Sequence, residues 1–179
     1  MVALIGFMGA GKTKVGRALA ALLGWSFVDL DEEIEGRQKI PIGDIFWRHG
    51  EPRFREIETA ALRLILEQVS APTVIALGGG TFLQAANAEL LRGAGAQVVF
   101  LETPIEEMLR RCRSQTASAE NLRPLAADAD AFRALYEQRL PVYRKADLTV
   151  DTAGKTAEEN AREIAAKLGP GADGPLSAA

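Results

Sequence analysis

The run Gly6-Phe7-Met8-Gly9-Ala10-Gly11-Lys12-Thr13 fits the pattern G-x-x-x-x-G-K-[ST]. The chemistry it suits is phosphate binding. Its glycines let backbone N–H groups turn inward around an anion, and a following helix adds its positive N-terminal end. Lys12 is spaced to reach the β- and γ-phosphates of a nucleoside triphosphate, and the Thr13 hydroxyl to hold Mg²⁺. The bland alternative is a Gly-rich turn between a strand and a helix. Strand, loop, Lys-Thr and helix pattern all follow in the required order, which favours the nucleotide.

A metal beside a triphosphate needs a carboxylate, and the third apolar run, Val74-Ile75-Ala76-Leu77, ends in Gly78-Gly79-Gly80 without one. The second run does better: Phe27-Val28-Asp29-Leu30-Asp31 closes on two acids one residue apart. In a strand, residues i and i+2 point to one side, so both carboxylates are expected to face one place. Their repulsion is offset by a divalent cation. A third cluster, Gly50-Glu51-Pro52-Arg53-Phe54-Arg55-Glu56-Ile57-Glu58, opens a helical pattern and sets Glu58 three residues from Arg55. A guanidinium so held can grip a carboxylate through two parallel bonds; a solvated surface pair is the alternative. The Gly78–Gly80 run reads either as a turn or as a place where a small ligand approaches the backbone, which would justify the entropy of three glycines.

The elements that position these residues alternate short apolar runs with helical patterns, which predicts an α/β fold with a mainly parallel sheet. Strands are expected at Val2–Ile5, Ser26–Val28, Thr73–Leu77, Gln97–Leu101 and Leu148–Val150. They alternate little, as strands covered on both faces should. Val15, Ala18, Leu19 and Leu22 recur at helical spacing before Gly24, and a longer helix is expected over Glu51–Val69. Thr103-Pro104-Ile105-Glu106 and Thr156-Ala157-Glu158-Glu159 read as capping boxes.

Taken together, these segments resemble the shikimate kinase family. The resemblance rests on Gly6–Thr13, on Phe27–Asp31, on the G-E-x-x-F-R-x-x-E run from Gly50 to Glu58 and on Gly78–Gly80. It continues through Leu101-Glu102-Thr103, Arg123-Pro124-Leu125 and Gln138-Arg139-Leu140-Pro141-Val142-Tyr143-Arg144, in order, to about Leu168. It implies a three-layer P-loop kinase, similar to nucleoside monophosphate kinases, with a five-stranded parallel sheet and a mobile lid. It implies transfer of phosphate from ATP, with Mg²⁺, to the 3-hydroxyl of shikimate, a step toward chorismate and the aromatic amino acids. Residue by residue, it makes Gly9, Ala10, Gly11, Lys12, Thr13 and Lys14 the ATP-binding run, and Thr13 and Asp29 the metal-side pair. Asp31 becomes the acid that binds the substrate hydroxyls and serves as base, with Lys12 and Arg123 completing the catalytic set. Arg55 and Arg139 would grip the shikimate carboxylate, Gly78, Gly79 and Gly80 would back the ring, Arg123 would reach the phosphates from the lid, and Arg111 would stack on adenine. The lid is expected over 113–127. This chain departs from the family pattern there: Ser114–Asn121 is longer than in compact relatives, and Ala126 stands where a second leucine is usual.

Composition excludes other classes. At 179 residues the chain suits one domain, expected over 1–168, followed by a disordered tail at 169–179. A net charge of −3 and a pI near 5.3 argue against non-specific nucleic-acid binding. Cys112 is the sole cysteine, no apolar stretch nears the ~20 residues of a membrane span, and no signal-peptide pattern leads the first strand. The expectation is a cytoplasmic monomer. His49, Cys112, Trp25 and Trp47 are read as helix-end or packing residues, and Phe46 and Phe54 as packing residues that also wall the acceptor pocket. Arg110, Arg111 and Arg113 read as a nucleotide-facing or solvated helix end. Two rival functions stand beside the leading one: a kinase of another small hydroxylated metabolite such as gluconate, and a nucleotide-binding module without catalysis.

Overall fold

The computed structural model describes residues 1–70, 72–116 and 128–169 of the 179-residue chain. Five parallel strands form one sheet in the order β2-β3-β1-β4-β5: β1 (Val2–Ile5), β2 (Ser26–Asp29), β3 (Thr73–Ala76), β4 (Gln97–Glu102) and β5 (Leu148–Asp151). Every residue of β1 and β3 is buried, which is why these runs are apolar apart from Thr73. The seven helices among the described residues are α1 (Lys12–Leu23), α2 (Leu30–Gln38), α3 (Ile42–Gln68), α4 (Ala85–Gly93), α5 (Ile105–Thr116), α6 (Ala129–Tyr143) and α7 (Ala157–Leu168). Parallel strands need crossovers, and these helices supply them.

Local chemistry sets most boundaries. Gly24 ends α1 in the left-handed region (φ 66°), its N–H donating to the Ala20 carbonyl. Val15 and Leu19 are buried as the spacing predicts, but Leu22 is 51% exposed: it lies past the edge of the apolar stripe. The Thr156–Glu159 capping box forms with both reciprocal bonds. The box expected at Thr103 does not. The Thr103 hydroxyl instead shares a 2.7 Å bond with Thr152 inside the core, while Glu106 pairs with Arg133 across to α6.

Two elements differ from expectation. Helix α2 follows β2 directly, where the sequence shows no apolar stripe, and α3 begins at Ile42 rather than Glu51. Its two halves meet at Gly50, whose φ of 74° and ψ of 172° are not helical. The early half exposes Trp47 at 85%, so Trp47 is not a packing residue; Phe46 is partly exposed and lies against Phe54, ring centroids 4.4 Å apart.

Candidate active site

Because all five strands run parallel, the loops leaving β1, β2 and β3 open on one edge, the usual place for a ligand in such sheets. The loop after β1 turns tightly, the Ala10 N–H donating to the Phe7 carbonyl at 3.2 Å, and Gly11 enters α1 at φ 91°. Lys12 curls over it, its Nζ donating to the carbonyls of Gly6 (3.0 Å) and Phe7 (3.2 Å). From α5, Arg111 donates to the Gly9 carbonyl at 3.2 Å and pairs with Glu107. The fit is close: a methyl on Gly9 would lie 2.8 Å from the Met108 carbonyl oxygen and 2.9 Å from the Cys112 sulfur. Cys112 is therefore a buried support under the loop.

Asp29 ends β2 and caps α2. Its Oδ1 accepts from the N–H groups of Asp31 (3.0 Å) and Glu32 (3.4 Å), and its Oδ2 accepts from the Thr13 hydroxyl at 2.7 Å. Strand β3 separates β2 from β1, so this bond crosses over the end of β3. Asp31 is not a strand residue. It sits in the first turn of α2, so the two acids converge through a strand-to-helix turn rather than through strand alternation. Burial drives the Asp31 carboxyl upward; the Lys12 ammonium opposes this, and Asp29, Glu58 and Glu35 add to it, leaving a pKa of about 6. The Thr13 hydroxyl and Asp29 carboxylate are hard oxygen donors, a set that fits Mg²⁺, which takes one or two carboxylates and completes its shell with water and phosphate oxygens. Among the described residues no three acidic, His or Cys side chains cluster as a metal site.

The acceptor side is organised by three successive glycines. A methyl on Gly78 would lie 2.9 Å from Asp31 Oδ1, 3.0 Å from the Thr81 hydroxyl and 3.1 Å from Glu58 Oε1. The Gly79 carbonyl accepts from the Tyr143 hydroxyl and, at 3.5 Å, from Arg139. Over Gly80 lies the Arg55 guanidinium, 2.5–2.8 Å from where a methyl would stand. Asp31, Arg139 and Arg55, far apart in the chain, thus address consecutive backbone positions. Arg55 bonds Glu58 at 2.9 Å and, on its outer side, Glu51 at 2.9 Å. Burial alone would lower its pKa, but Glu58 and Glu51 hold it above the ordinary guanidinium range. Glu58 is 1% exposed and fixed; Glu51 is 62% exposed and can swing to water, freeing that edge for a ligand carboxylate. The pair anticipated at Arg55–Glu58 is therefore half-buried, not a solvated surface pair.

A cavity of about 600 Å³ joins the phosphate loop to Asp29, Asp31 and Gly79. Its lining also includes Arg110 and Arg111 from α5, Lys155 and Thr156 from the β5–α7 loop, and Asn160 from α7. The β5–α7 residues were readable only as a helix cap; that their loop follows a strand of the same parallel sheet is the signal that could have placed them at this edge. Tyr143 was also missed, although it stands in the same short run as Arg139. It is 1% exposed, stacks on Phe100 at 5.3 Å and, chiefly through burial, has its phenol pushed up to about 12. Of the lid expected over 113–127, residues 113–116 are the last turn of α5, while 117–127, with Arg123, lie outside the described residues.

One substitution would test Arg55 as a clamp on an acceptor. The atoms crowding Gly80 are the far end of a flexible side chain, so Gly80→Ala should fold, yet it must push the Arg55 guanidinium aside. The expected result is an acceptor KM raised roughly tenfold or more with an unchanged KM for ATP, read from steady-state kinetics.

A phosphate loop, an aspartate bonded to the loop's threonine and two guanidinium groups over a triple-glycine turn, on one edge of a five-stranded parallel sheet, are the arrangement of a P-loop small-molecule kinase. The chain belongs to the shikimate kinase family, whose model, "Shikimate kinase", matches residues 8–169. It is 44% identical to a shikimate kinase of Moorella thermoacetica over 91% of each chain. Among solved structures it is similar to a shikimate kinase from Acinetobacter baumannii in complex with shikimate (TM-score 0.83, 37% identity, 93% of this chain and 91% of that one). A shikimate kinase from Aquifex aeolicus matches with a TM-score of 0.78 and 34% identity over 97% of this chain and 99% of that one.

Proposed function

We propose that this chain transfers the γ-phosphoryl group of ATP to the 3-hydroxyl of shikimate, giving shikimate 3-phosphate and ADP. The observation that carries the reading is the convergence of Asp31, Arg139 and Arg55 on Gly78-Gly79-Gly80, of which Asp31 and Gly79 also line the cavity that holds the phosphate loop. An acceptor lying on these glycines presents its carboxylate to the two guanidinium groups and its hydroxyls to Asp31. Backbone contact suits a flat ring, for which a side chain would leave no room.

Phosphoryl transfer is governed by positioning and by neutralising charge spread over the transferring group. Lys12 and the loop N–H groups hold the triphosphate, and Arg55 and Arg139 fix the acceptor. Asp31 orients the attacking hydroxyl and takes its proton. Thr13 and Asp29 would hold Mg²⁺, which would supply positive charge against the phosphate oxygens. Arg123 is assigned to the phosphates on its sequence motif alone, and Arg111 to the nucleotide on its place beside Gly9. One chain supplies residues for both substrates, so the reading is a monomer, working in the cytoplasm where ATP is made and used.

The test is ADP release coupled to pyruvate kinase and lactate dehydrogenase, with phosphorus NMR to identify the product. Turnover should require shikimate and a divalent cation together, and a panel including gluconate should show a strong preference for shikimate. Equal rates with gluconate, or ATP binding without turnover on any acceptor, would favour the rival readings.

A further inference from the structure

The Arg55 clamp is held from behind. Glu58, its fixed partner, is buried with one oxygen on Arg55 and the other, Oε1, accepting a 2.6 Å bond from the Thr81 hydroxyl. Thr81 is fully buried in the short 3₁₀ turn Thr81–Leu83 that follows the three glycines. Its own backbone is tied on both sides: the Thr81 N–H donates to the Gly78 carbonyl at 3.2 Å, and the amide of buried Asn87, in α4, donates to the Thr81 carbonyl at 3.0 Å. A carboxylate this deep is tolerated only when both oxygens are satisfied, and Thr81 supplies the donor that Arg55 does not.

We infer that Thr81 is a positioning residue for acceptor recognition: its hydroxyl locks the Glu58 carboxylate in the one orientation that aims the Arg55 guanidinium over Gly80. The inference rests on the reading of Arg55 as the clamp on the acceptor's carboxylate. The chain Asn87–Thr81–Glu58–Arg55 runs from α4 to the ligand site, its first link made to the Thr81 backbone and the other two between side chains, and only its last member would touch the acceptor. Thr81 also borders the same point from the other direction, since its hydroxyl, Glu58 and Asp31 all crowd the space above Gly78. Losing the hydroxyl leaves Glu58 Oε1 buried without a donor. The carboxylate then turns toward another partner and takes the guanidinium with it.

Thr81→Val keeps the shape of the side chain and removes the donor. The expected result is a KM for shikimate raised roughly tenfold with kcat changed less than threefold and the KM for ATP unmoved, the signature of lost uniform binding. Thr81→Ser restores the hydroxyl and should bring the shikimate KM back to within about threefold of the parent. An acceptor analogue lacking the carboxylate should lose nothing in Thr81→Val. If the valine variant fails to fold by circular dichroism, Thr81→Ala, which opens space rather than placing a methyl against the carboxylate, carries the same readout. A merely structural role lowers the melting temperature without separating the two KM values; an unmoved shikimate KM, equal rises in both, or failure of serine to rescue would overturn the inference. Failure of the unaltered chain to turn over shikimate would overturn the functional reading and this inference with it, whereas normal turnover with an unmoved KM in the variant would sink this inference alone.

Discussion

Asp31→Asn should lower kcat/KM for shikimate on the order of 10³-fold, within the range that a positioned general base supplies. The asparagine keeps the size and a hydrogen-bond acceptor, so the ring can still bind, but nothing remains to take the hydroxyl proton. In the parent, kcat/KM reports the free enzyme, and its acid limb should fall near pH 6, where Asp31 loses its charge. The direction is fixed by chemistry: the base must be ionised, so activity drops about tenfold per pH unit below that point and levels off above it. Asp31→Asn should have no such limb. Ordinary turnover in the variant, or an unshifted limb in its residual rate, would remove Asp31 from the role.

The same substitution should stabilise the fold at neutral pH. A carboxyl whose native pKa is raised above 3.8 to about 6 binds its proton more tightly folded than unfolded. Its contribution is therefore full below the unfolded value and is lost as pH rises through the native one. At pH 8 the parent carries an ionised carboxylate beside Asp29 and Glu58, a penalty of about 1–3 kcal/mol at this largely buried site. The neutral amide avoids it. Thermal melts should show Asp31→Asn above the parent at pH 8, with the gap closing toward pH 4. A position that weakens the fold and speeds the reaction is the mark of a group kept for chemistry.

What the sequence disclosed follows the range of the interactions involved. The phosphate loop is eight consecutive residues whose geometry is local, so its pattern and its structure coincide. The central strands were legible because burial on both faces leaves apolar runs such as Val2–Ile5 and Val74–Ala76. Helix α2 was not, because Asp31, Glu32, Glu33 and Glu35 leave it only Leu30 and Ile34 to bury, too few for a periodic stripe. Gly50 hid the start of α3 by breaking the phase between its halves. Trp47 shows the limit of residue type: an apolar side chain announces affinity for cover, not which face of a helix it occupies. Of the site, the participants could be named in advance, but their grouping could not. That Asp29 meets Thr13 across β3, that Thr81 backs Glu58, and that Tyr143 shares the Gly79 carbonyl with Arg139 are all tertiary facts, set by the strand order rather than by spacing.

Lys12→Met joins the two halves of the site in one measurement. Removing the ammonium should lower kcat on the order of 10²–10³-fold, the usual loss when a group stabilising transition-state charge is deleted. Part of that loss has a second origin in this chain. Lys12 Nζ brackets the carbonyls of Gly6 and Phe7, so the methionine also releases the loop, and the KM for ATP should rise. The distinguishing sign is in the pH profile. Burial raises the Asp31 pKa and Lys12 restrains that rise, so without Lys12 the carboxyl must climb further, and the acid limb of the residual activity should move to higher pH than in the parent. Arg55→Ala offers the control: it should weaken shikimate binding while the KM for ATP stays where it was. A limb that stays in place in Lys12→Met would mean that the lysine and the acid do not share one field. The phosphate loop and the acceptor glycines would then be two neighbouring sites instead of the single pocket that in-line transfer requires.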